Sequence, residues 1–259
     1  MSGTEQIVFG LGSGRSGTAS LAGLLNAQPN VVCFHEINPA AMAWESAEDT
    51  VASLLRGFHD IMTGAERVLT IDRTVHGRTA AVPRMKSLEA VTGMGDVAHY
   101  YLPYVEMILG RVPDARFPCL HRDREEVVQS FIAKLRLKPH GKVAHLHARL
   151  KGRHLPTSRN HWAGPGDNRW QSDHRFDKCF PSYEGLRTAD LAAHLRRWHD
   201  DYYARIETLV SRYPDNVRVF DMACLNDSTG RRDLLDFALP GTDVDPDVSV
   251  HANARAVTR

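Results

Sequence analysis

The densest set of groups able to hold an anion lies near the start of the chain, where the apolar run Ile7 to Gly10 passes directly into GLGSGRSGTASL. A glycine-rich turn between a strand and the N-terminus of an amphipathic helix points successive backbone N–H groups at one spot. It adds the positive end of the helix dipole and lets the backbone approach a phosphate or sulfate closely. Arg15 adds a fixed cation beside Gly14 and Gly17, and Ser16, Thr18 and Ser20 add hydroxyls. A second set occurs in ARFPCLHRDREEVVQSFIAK. Arg122 sits at the exit of a strand, Ser130 about two helical turns later, and Lys134 one turn beyond Ser130 on the same face. Together they could hold a second phosphate. The plainer readings are a tight turn without a ligand for the first set and a helix-terminus ion pair for Arg122.

Three nucleotide-binding patterns can be tested against these residues. Gly12 to Thr18 reads G-S-G-R-S-G-T, without the lysine that a Walker A loop carries between its last glycine and the hydroxyl residue, which disfavours an ordinary ATPase or GTPase. Gly12, Gly14 and Gly17 do satisfy G-x-G-x-x-G after a strand, and Glu36 ends the second strand about 20 residues on. A Rossmann-type dinucleotide-dependent oxidoreductase is therefore the competing reading. Against it, Arg15 and Ser16 place a cation and a hydroxyl where a pyrophosphate needs mainly backbone, and Arg122 with Ser130 stays unexplained. The HRD string at 121–123 resembles the opening of a kinase catalytic loop, but Val128 stands where Asn is required and no D-F-G follows.

The elements that must position these groups alternate along the chain. Apolar, β-branched runs at Ile7–Gly10, Val31–Phe34, Val68–Ile71, Arg116–Leu120 and Val217–Phe220 predict strands. Amphipathic segments separate most of them, which predicts an α/β domain with a mainly parallel sheet. The first helix carries Leu21, Leu24 and Leu25 and stops before Pro29; the second places Val51, Leu54, Leu55, Phe58 and Met62 on one stripe and ends at Gly64. A third begins near Pro103 and closes at Gly110. The fourth has Asp123 as N-cap with Glu126 three residues later. The fifth, about Thr188 to Arg212, has a stripe of Leu195, Trp198, Tyr202, Ile206 and Leu209 that reads as core. Residues 139–183 lose periodicity and read as an irregular basic lid or loop rather than a second domain. The tail after Pro240 looks weakly structured.

Composition bounds the class. With 259 residues, 42% of them apolar, the chain can bury a sizeable core as one domain spanning 1–259. The four cysteines (Cys33, Cys119, Cys179 and Cys224) form no C-x-x-C pair, so neither a zinc ribbon nor a disulfide framework is expected. No run suits a membrane span and MSGTEQIVFG has no leader character, which predicts a soluble, cytoplasmic protein. The net charge of +1 leaves no general pull toward nucleic acid. It does conceal a local excess, because Val127 to Gly166 contains no acid and eight Lys and Arg residues. That block reads as an anion-facing segment closing over a ligand, with Trp162 or Trp170 stacking on it, or as a solvated loop. The scattered histidines, His145 and His147 with His154, His161 and His174, come without a carboxylate in that block and without helical spacing, so no metal site is expected.

The two anion-binding segments together resemble the nucleotide motifs of sulfotransferases that use 3'-phosphoadenosine 5'-phosphosulfate (PAPS). GRSGTASLAGLLNAQPNVVCFHE is similar to the 5'-phosphosulfate loop in the R-S-G-T form of tyrosylprotein and many bacterial sulfotransferases. Arg122 with Ser130 eight residues on resembles the 3'-phosphate site. DVAHYYLPYVEMILGRVPDARF and DDYYARIETLVSRYPDNVRVFDMACLN are similar, more weakly, to other segments of bacterial members. The resemblance implies a P-loop-like three-layer sandwich, with Gly14, Arg15, Ser16, Gly17, Thr18, Ala19 and Ser20 on the 5'-phosphosulfate and Arg122, Ser130 and Lys134 on the 3'-phosphate. At Ala19 many members carry a second hydroxyl, which Ser20 could replace. The implied reaction moves a sulfuryl group from PAPS to a hydroxyl of a small-molecule, lipid or saccharide acceptor, without a metal. Arg15 would stabilise the leaving phosphate, and a nucleotide-binding protein without turnover is the non-enzymatic alternative. Glu36, at the C-terminal end of a strand expected beside the first, is the leading general base, and a glutamate at the matching position is the base in tyrosylprotein sulfotransferases. His35, which strand alternation would turn to the opposite face, competes with it, as do Asp72, His76 and Asp96.

Overall fold

The computed structural model describes residues 5–39, 42–73, 76–135, 178–181, 183 and 191–248, with positions 146, 150, 159, 160, 171 and 172. The first strand, β1 (Gln6–Gly10), leads through the glycine-rich turn into α1 (Thr18–Asn26), and β2 (Val31–His35) follows after Pro29. Then come α2 (Glu48–Met62), a 3-10 turn at His76–Thr79, α3 (Val82–Ser87), β3 (Gly93–Val97), a 3-10 turn at His99–Tyr104 and α4 (Val105–Leu109). The second half holds β4 (Phe117–His121), α5 (Arg124–Leu135) and a two-residue parallel pair, β5 (Arg159–Asn160) with β6 (Gln171–Ser172). It closes with α6 (Leu191–Arg212), β7 (Val217–Asp221) and α7 (Ser228–Ala238).

The principal strands are parallel. β3 lies between β1 and β2, β4 pairs with β7, and β1 joins β4 through bridges at Val8–Arg116 and Leu11–Cys119, giving the order β2-β3-β1-β4-β7. β1, β2 and β4 are almost continuously buried because helices cover both faces, whereas the edge strand β7 exposes Arg218, Val219 and Asp221. Alternate side chains divide between the two sides. Ile7, Phe9, Val32 and Phe34 pack toward α2 and α6, whereas Val8, Val31 and Cys33 pack toward α1 and α7. The result is the three-layer mixed α/β architecture that the element pattern predicts.

Three elements differ from the sequence pattern. Val68–Ile71 is not a strand; it is irregular chain after α2, with Val68 67% exposed and Leu69 and Ile71 resting on the core. The missing strand is β3, whose sequence GMGDV is poor in β-formers. Its glycines answer to close packing: a Cβ on Gly95 would lie 2.6 Å from the Val8 carbonyl oxygen and 3.3 Å from Cys33 Sγ. Consequently β2 is not beside β1, because β3 separates them. The third helix begins as a 3-10 turn containing Pro103 and becomes α-helical only at Val105. Residues 241–248 lack regular structure but are fastened. The Gln28 side chain accepts from Asp245 N (2.7 Å) and donates to Asp245 O (3.0 Å), and Arg231 Nε donates to Pro246 O (2.6 Å). The basic block at 136–145, His145, His147, His154, His161, His174, Trp162 and Trp170 lie outside the described residues. Among the described residues no helix is long and apolar enough to cross a membrane.

Candidate active site

The turn after β1 is curled by left-handed backbone at Gly14 (φ 83°), Arg15 (φ 58°) and Gly17 (φ 90°). Two adjacent residues of this kind, followed by a helix start, form a concavity lined by N–H groups. Gly17 caps α1 without a side-chain hydrogen bond, which leaves the N–H groups of Thr18 and Ala19 without an intrahelical carbonyl, whereas Ser20 N already donates to Gly17 O at 2.9 Å. At Gly14 the requirement is steric as well as torsional, since a Cβ there would stand 2.9 Å from Phe131 Cζ of α5.

Arg15 is not a glycine, and left-handed backbone costs such a residue roughly 1–2 kcal/mol. Contacts from the second motif hold it there. Arg15 Nε donates to Ser130 Oγ at 3.0 Å, and Arg122 Nη1 donates to the Arg15 carbonyl at 3.0 Å. The two motifs, more than 100 residues apart in sequence, are therefore in direct contact. Arg122 also pairs with Glu126 (2.8 Å), one turn into α5, whose N-terminus is capped as expected by Asp123 Oδ1 accepting from Glu126 N (3.0 Å). Lys134 belongs to α5, but its side chain lies outside the described residues.

The hydroxyls of the loop divide by role. Ser16 is fully buried and its Oγ has no hydrogen-bond partner among the described residues; the neighbouring Tyr203 hydroxyl donates to Leu120 O (2.7 Å). An unpaired buried hydroxyl costs about 1–3 kcal/mol, which an anion oxygen entering the loop would recover. Thr18 Oγ1 is 3.2 Å from His35 Nε2. Ala19 is half-buried and Ser20 buried in the first turn of α1. The orphaned Ser16 hydroxyl, the left-handed backbone and the converging Arg15 and Arg122 suit a ligand with two separated anionic groups.

From behind, α6 clamps the loop. Trp198 Nε1 donates to Ser13 O at 2.8 Å, and Gly12 N donates to the Tyr202 hydroxyl at 3.0 Å. His199 Nε2 lies 3.0 Å from Arg122 O, and burial lowers the pKa of its imidazole, favouring the neutral ring that donates to this carbonyl. The stripe of α6 is core, as read from sequence, yet its polar tips also hold the site. A buried indole N–H or phenol needs a partner, and that requirement was the available signal.

The base candidates separate clearly. Glu36 does not continue the strand alternation, because it turns left-handed (φ 53°) just after β2, as does Asn38 (φ 45°). It is half-buried, and its charge raises the pKa values of Asp96 and Tyr100, so it lies toward them. His35 is the residue of this pair that contacts Thr18 of the loop. Asp96 is fully enclosed, and burial pushes its carboxyl up to about 7. It accepts from Ile37 N (3.1 Å) and the Tyr101 hydroxyl (2.7 Å), fixing the turn that carries Glu36. Asp72 is paired with the buried Arg78 and accepts from Asn38 Nδ2 (3.0 Å). The His76 side chain lies outside the described residues.

Fold and site thus define a mixed α/β protein with a glycine-rich, left-handed turn between its first strand and helix. Residues 7–163 match the model of the Sulfotransferase family, and the chain belongs to that family. Among solved structures it is similar to a sulfotransferase from Alicyclobacillus acidocaldarius, at 12% identity and a TM-score of 0.39 over 98% of this chain and 87% of that one. No curated protein matches. By family, the protein is a transferase of sulfuryl groups.

Proposed function

We propose that the donor is PAPS and that the sulfuryl group passes to a hydroxyl of a small-molecule, lipid or saccharide acceptor. The observation that carries this reading is the Arg15–Ser130 contact with Arg122 on the Arg15 carbonyl, because it joins a loop suited to a 5'-phosphosulfate to a pair suited to a 3'-phosphate. PAPS when bound supplies a sulfuryl group on a phosphosulfate anhydride. The loop N–H groups, Ser16, Thr18 and Ser20 hold its 5' end, and Arg122, Ser130 and Lys134 hold its 3'-phosphate. Arg15, permanently charged, neutralises the charge that develops on the leaving oxygen. Glu36 takes the acceptor's hydroxyl proton. The His35 contact with Thr18 favours a second reading in which the imidazole is that base.

The donor site is tested by thermal unfolding with adenosine 3',5'-bisphosphate in parallel with NAD, FAD and ATP. A ligand at 100 times its dissociation constant stabilises by about 2.7 kcal/mol, or roughly 5–10 °C for a chain of this size. A shift with the bisphosphate alone is expected, and Arg15→Ala should lower turnover of PAPS by about 10²–10³ while leaving the unfolding transition cooperative. A shift with NAD or FAD and none with the bisphosphate would replace this reading with a dinucleotide fingerprint at Gly12, Gly14 and Gly17.

A further inference from the structure

The consecutive residues Asp96 to Tyr100, at the end of β3, bind both the start of the glycine-rich loop and the turn that carries the candidate base. β3 pairs with β1 and with β2, so Asp96 lies in register with Phe9 on one side and Phe34 on the other. Toward the loop, Ala98 N donates to Gly10 O at 2.9 Å. His99 O accepts from the Tyr202 hydroxyl (3.4 Å), which itself accepts from Gly12 N (3.0 Å). Toward the turn, Val97 O accepts from Glu36 N at 3.1 Å, the Asp96 carboxyl from Ile37 N at 3.1 Å, and the Tyr100 hydroxyl from Asn38 N at 2.8 Å. Three successive backbone N–H groups are thus met by three groups of one short segment. Asp96, Tyr100, Ile37 and Asn38 are all buried. The turn they hold is strained, since Glu36 and Asn38 stand at φ 53° and 45°, left-handed backbone that disfavours residues other than glycine. Such strain persists only where the surroundings impose it, and ending β2 after His35 would not by itself require it.

The Glu36 side chain lies toward the same groups as its backbone, because its charge raises the pKa values of Asp96 and Tyr100. Backbone and carboxylate of Glu36 are therefore referred to one rigid segment, and that segment also fixes Gly10 and, through Tyr202, Gly12. We propose that Asp96 and Tyr100 are positioning residues of the transfer step, holding Glu36 at a set distance from the glycine-rich loop; this inference rests on Glu36 being the base. In that step Glu36 takes the acceptor's hydroxyl proton as the acceptor oxygen bonds to sulfur. The bond from sulfur to the bridging oxygen breaks, and that oxygen leaves with the electron pair on adenosine 3',5'-bisphosphate. A reacting group misplaced by about 1 Å lowers the rate by roughly 10²-fold. The contacts proposed for the donor lie in the loop and on α5, none of them on residues 36–38, so a slackened turn lowers kcat and spares donor affinity.

The test compares the full chain with Tyr100→Phe, Asp96→Asn, Glu36→Gln and the double variant Glu36→Gln/Tyr100→Phe. Tyr104→Phe is the control for a lost buried tyrosine hydroxyl, because that hydroxyl bonds only Ala47 N (3.0 Å) and Ala43 O (2.8 Å) among the described residues. Two readouts need no turnover. Amide hydrogen exchange at Asn38 should quicken about tenfold in Tyr100→Phe, and the unfolding shift with adenosine 3',5'-bisphosphate should match the wild type. Turnover of labelled PAPS is followed with 2-naphthol, 1-octanol, glucose and water as acceptors. Tyr100→Phe should lower kcat about 10- to 100-fold with the KM for PAPS changed less than about threefold, and should add almost nothing in the Glu36→Gln background, as groups acting through one residue do. Asp96→Asn should do the same, and if it does not fold Tyr100→Phe decides alone. Unchanged exchange at Asn38, an unchanged kcat in Tyr100→Phe, an equal loss in Tyr104→Phe, or a full Tyr100→Phe effect without Glu36 would each overturn the inference and leave Glu36 as the base. An undiminished kcat in Glu36→Gln removes the base itself. A wild-type chain stabilised by the bisphosphate that passes label to none of the acceptors points to binding without turnover, and either result takes this inference with it.

Discussion

Replacing Asp96 by asparagine should flatten part of the pH dependence of stability. The wild-type carboxyl is raised from 3.8 to about 7, chiefly by burial, against hydrogen bonds from Tyr101, Ile37 and Tyr100 that favour its charge and with Glu36 adding repulsion. The folded protein therefore binds a proton at this group that the unfolded chain has already lost. Between pH 4 and pH 7 the native state holds more protons than the unfolded state, so stability from this group is fully present below pH 3.8 and is lost as pH rises through about 7. Each pH unit in that window is worth about 1.4 kcal/mol, so passing from pH 5 to pH 8 removes about 3 kcal/mol. That corresponds to roughly 6–12 °C in Tm.

An amide cannot titrate, and it imitates the neutral acid. Thermal unfolding of the wild type and of Asp96→Asn at half-unit steps from pH 5 to pH 8 isolates the group, because other titrations cancel in the difference. The wild-type Tm should fall relative to the variant by the amount above as pH rises. A constant offset has another cause, since the new Nδ2 faces the Ile37 N–H that now reaches Oδ1 and Oδ2 at 3.3 and 3.1 Å. Two Tm curves that stay parallel across the range would refute the reasoning, and a variant that gains on the wild type toward acid would reverse its sign.

Other expectations follow from contacts within the loop. Gly14→Ala should destabilise by about 1–3 kcal/mol and weaken bisphosphate binding, because it combines φ 83° with a Cβ 2.9 Å from Phe131 Cζ; differential scanning calorimetry and a bisphosphate titration read both. Tyr202→Phe removes the acceptor of Gly12 N and should cost about 1–3 kcal/mol, measured as a lower urea midpoint at unchanged slope. Ser130→Ala should weaken adenosine 3',5'-bisphosphate about tenfold by calorimetric titration, a loss of roughly 1.4 kcal/mol for one hydrogen bond to a charged group.

Legibility tracked locality. The turn Gly12–Thr18 could be read because strand, glycines and helix are contiguous, and the spacing from Arg122 to Ser130 could be read because both lie within one strand–helix junction. Their meeting could not, since it depends on β4 standing beside β1. The sheet order was misjudged where packing overrode propensity: Gly93 and Gly95 make β3 look like a loop, while the β-branched stretch at Val68 lies at the surface. The alternation assigned to His35 and Glu36 failed because β2 ends at His35 and the next residue turns left-handed. That turn exists because Asp96, Tyr100 and Val97 O, all from beyond residue 90, bind the backbone of residues 36–38. The segment Ser228–Ala238, with Asp227 Oδ1 accepting from Gly230 N at 2.8 Å, carries a cap and an apolar stripe that its sequence also displays.

Helix α6 makes the two anion motifs one mechanical unit. Tyr202 and Trp198 hold Gly12 and Ser13, His199 holds the Arg122 carbonyl one turn away, and Arg196 grips Glu125 of α5 through two bonds of 2.9 and 2.8 Å. A single helix therefore sets the spacing between the loop that faces the 5' end of the proposed donor and the residues that face its 3' end. The same Trp198 and Tyr202 wall an adjoining cavity. Sequence separation among these groups reaches 190 residues, between Gly12 and Tyr202, yet one rigid element spans them all. Precision in such a site comes from the helix, which is why the tips of its buried aromatic stripe are polar where a purely structural core would use leucine.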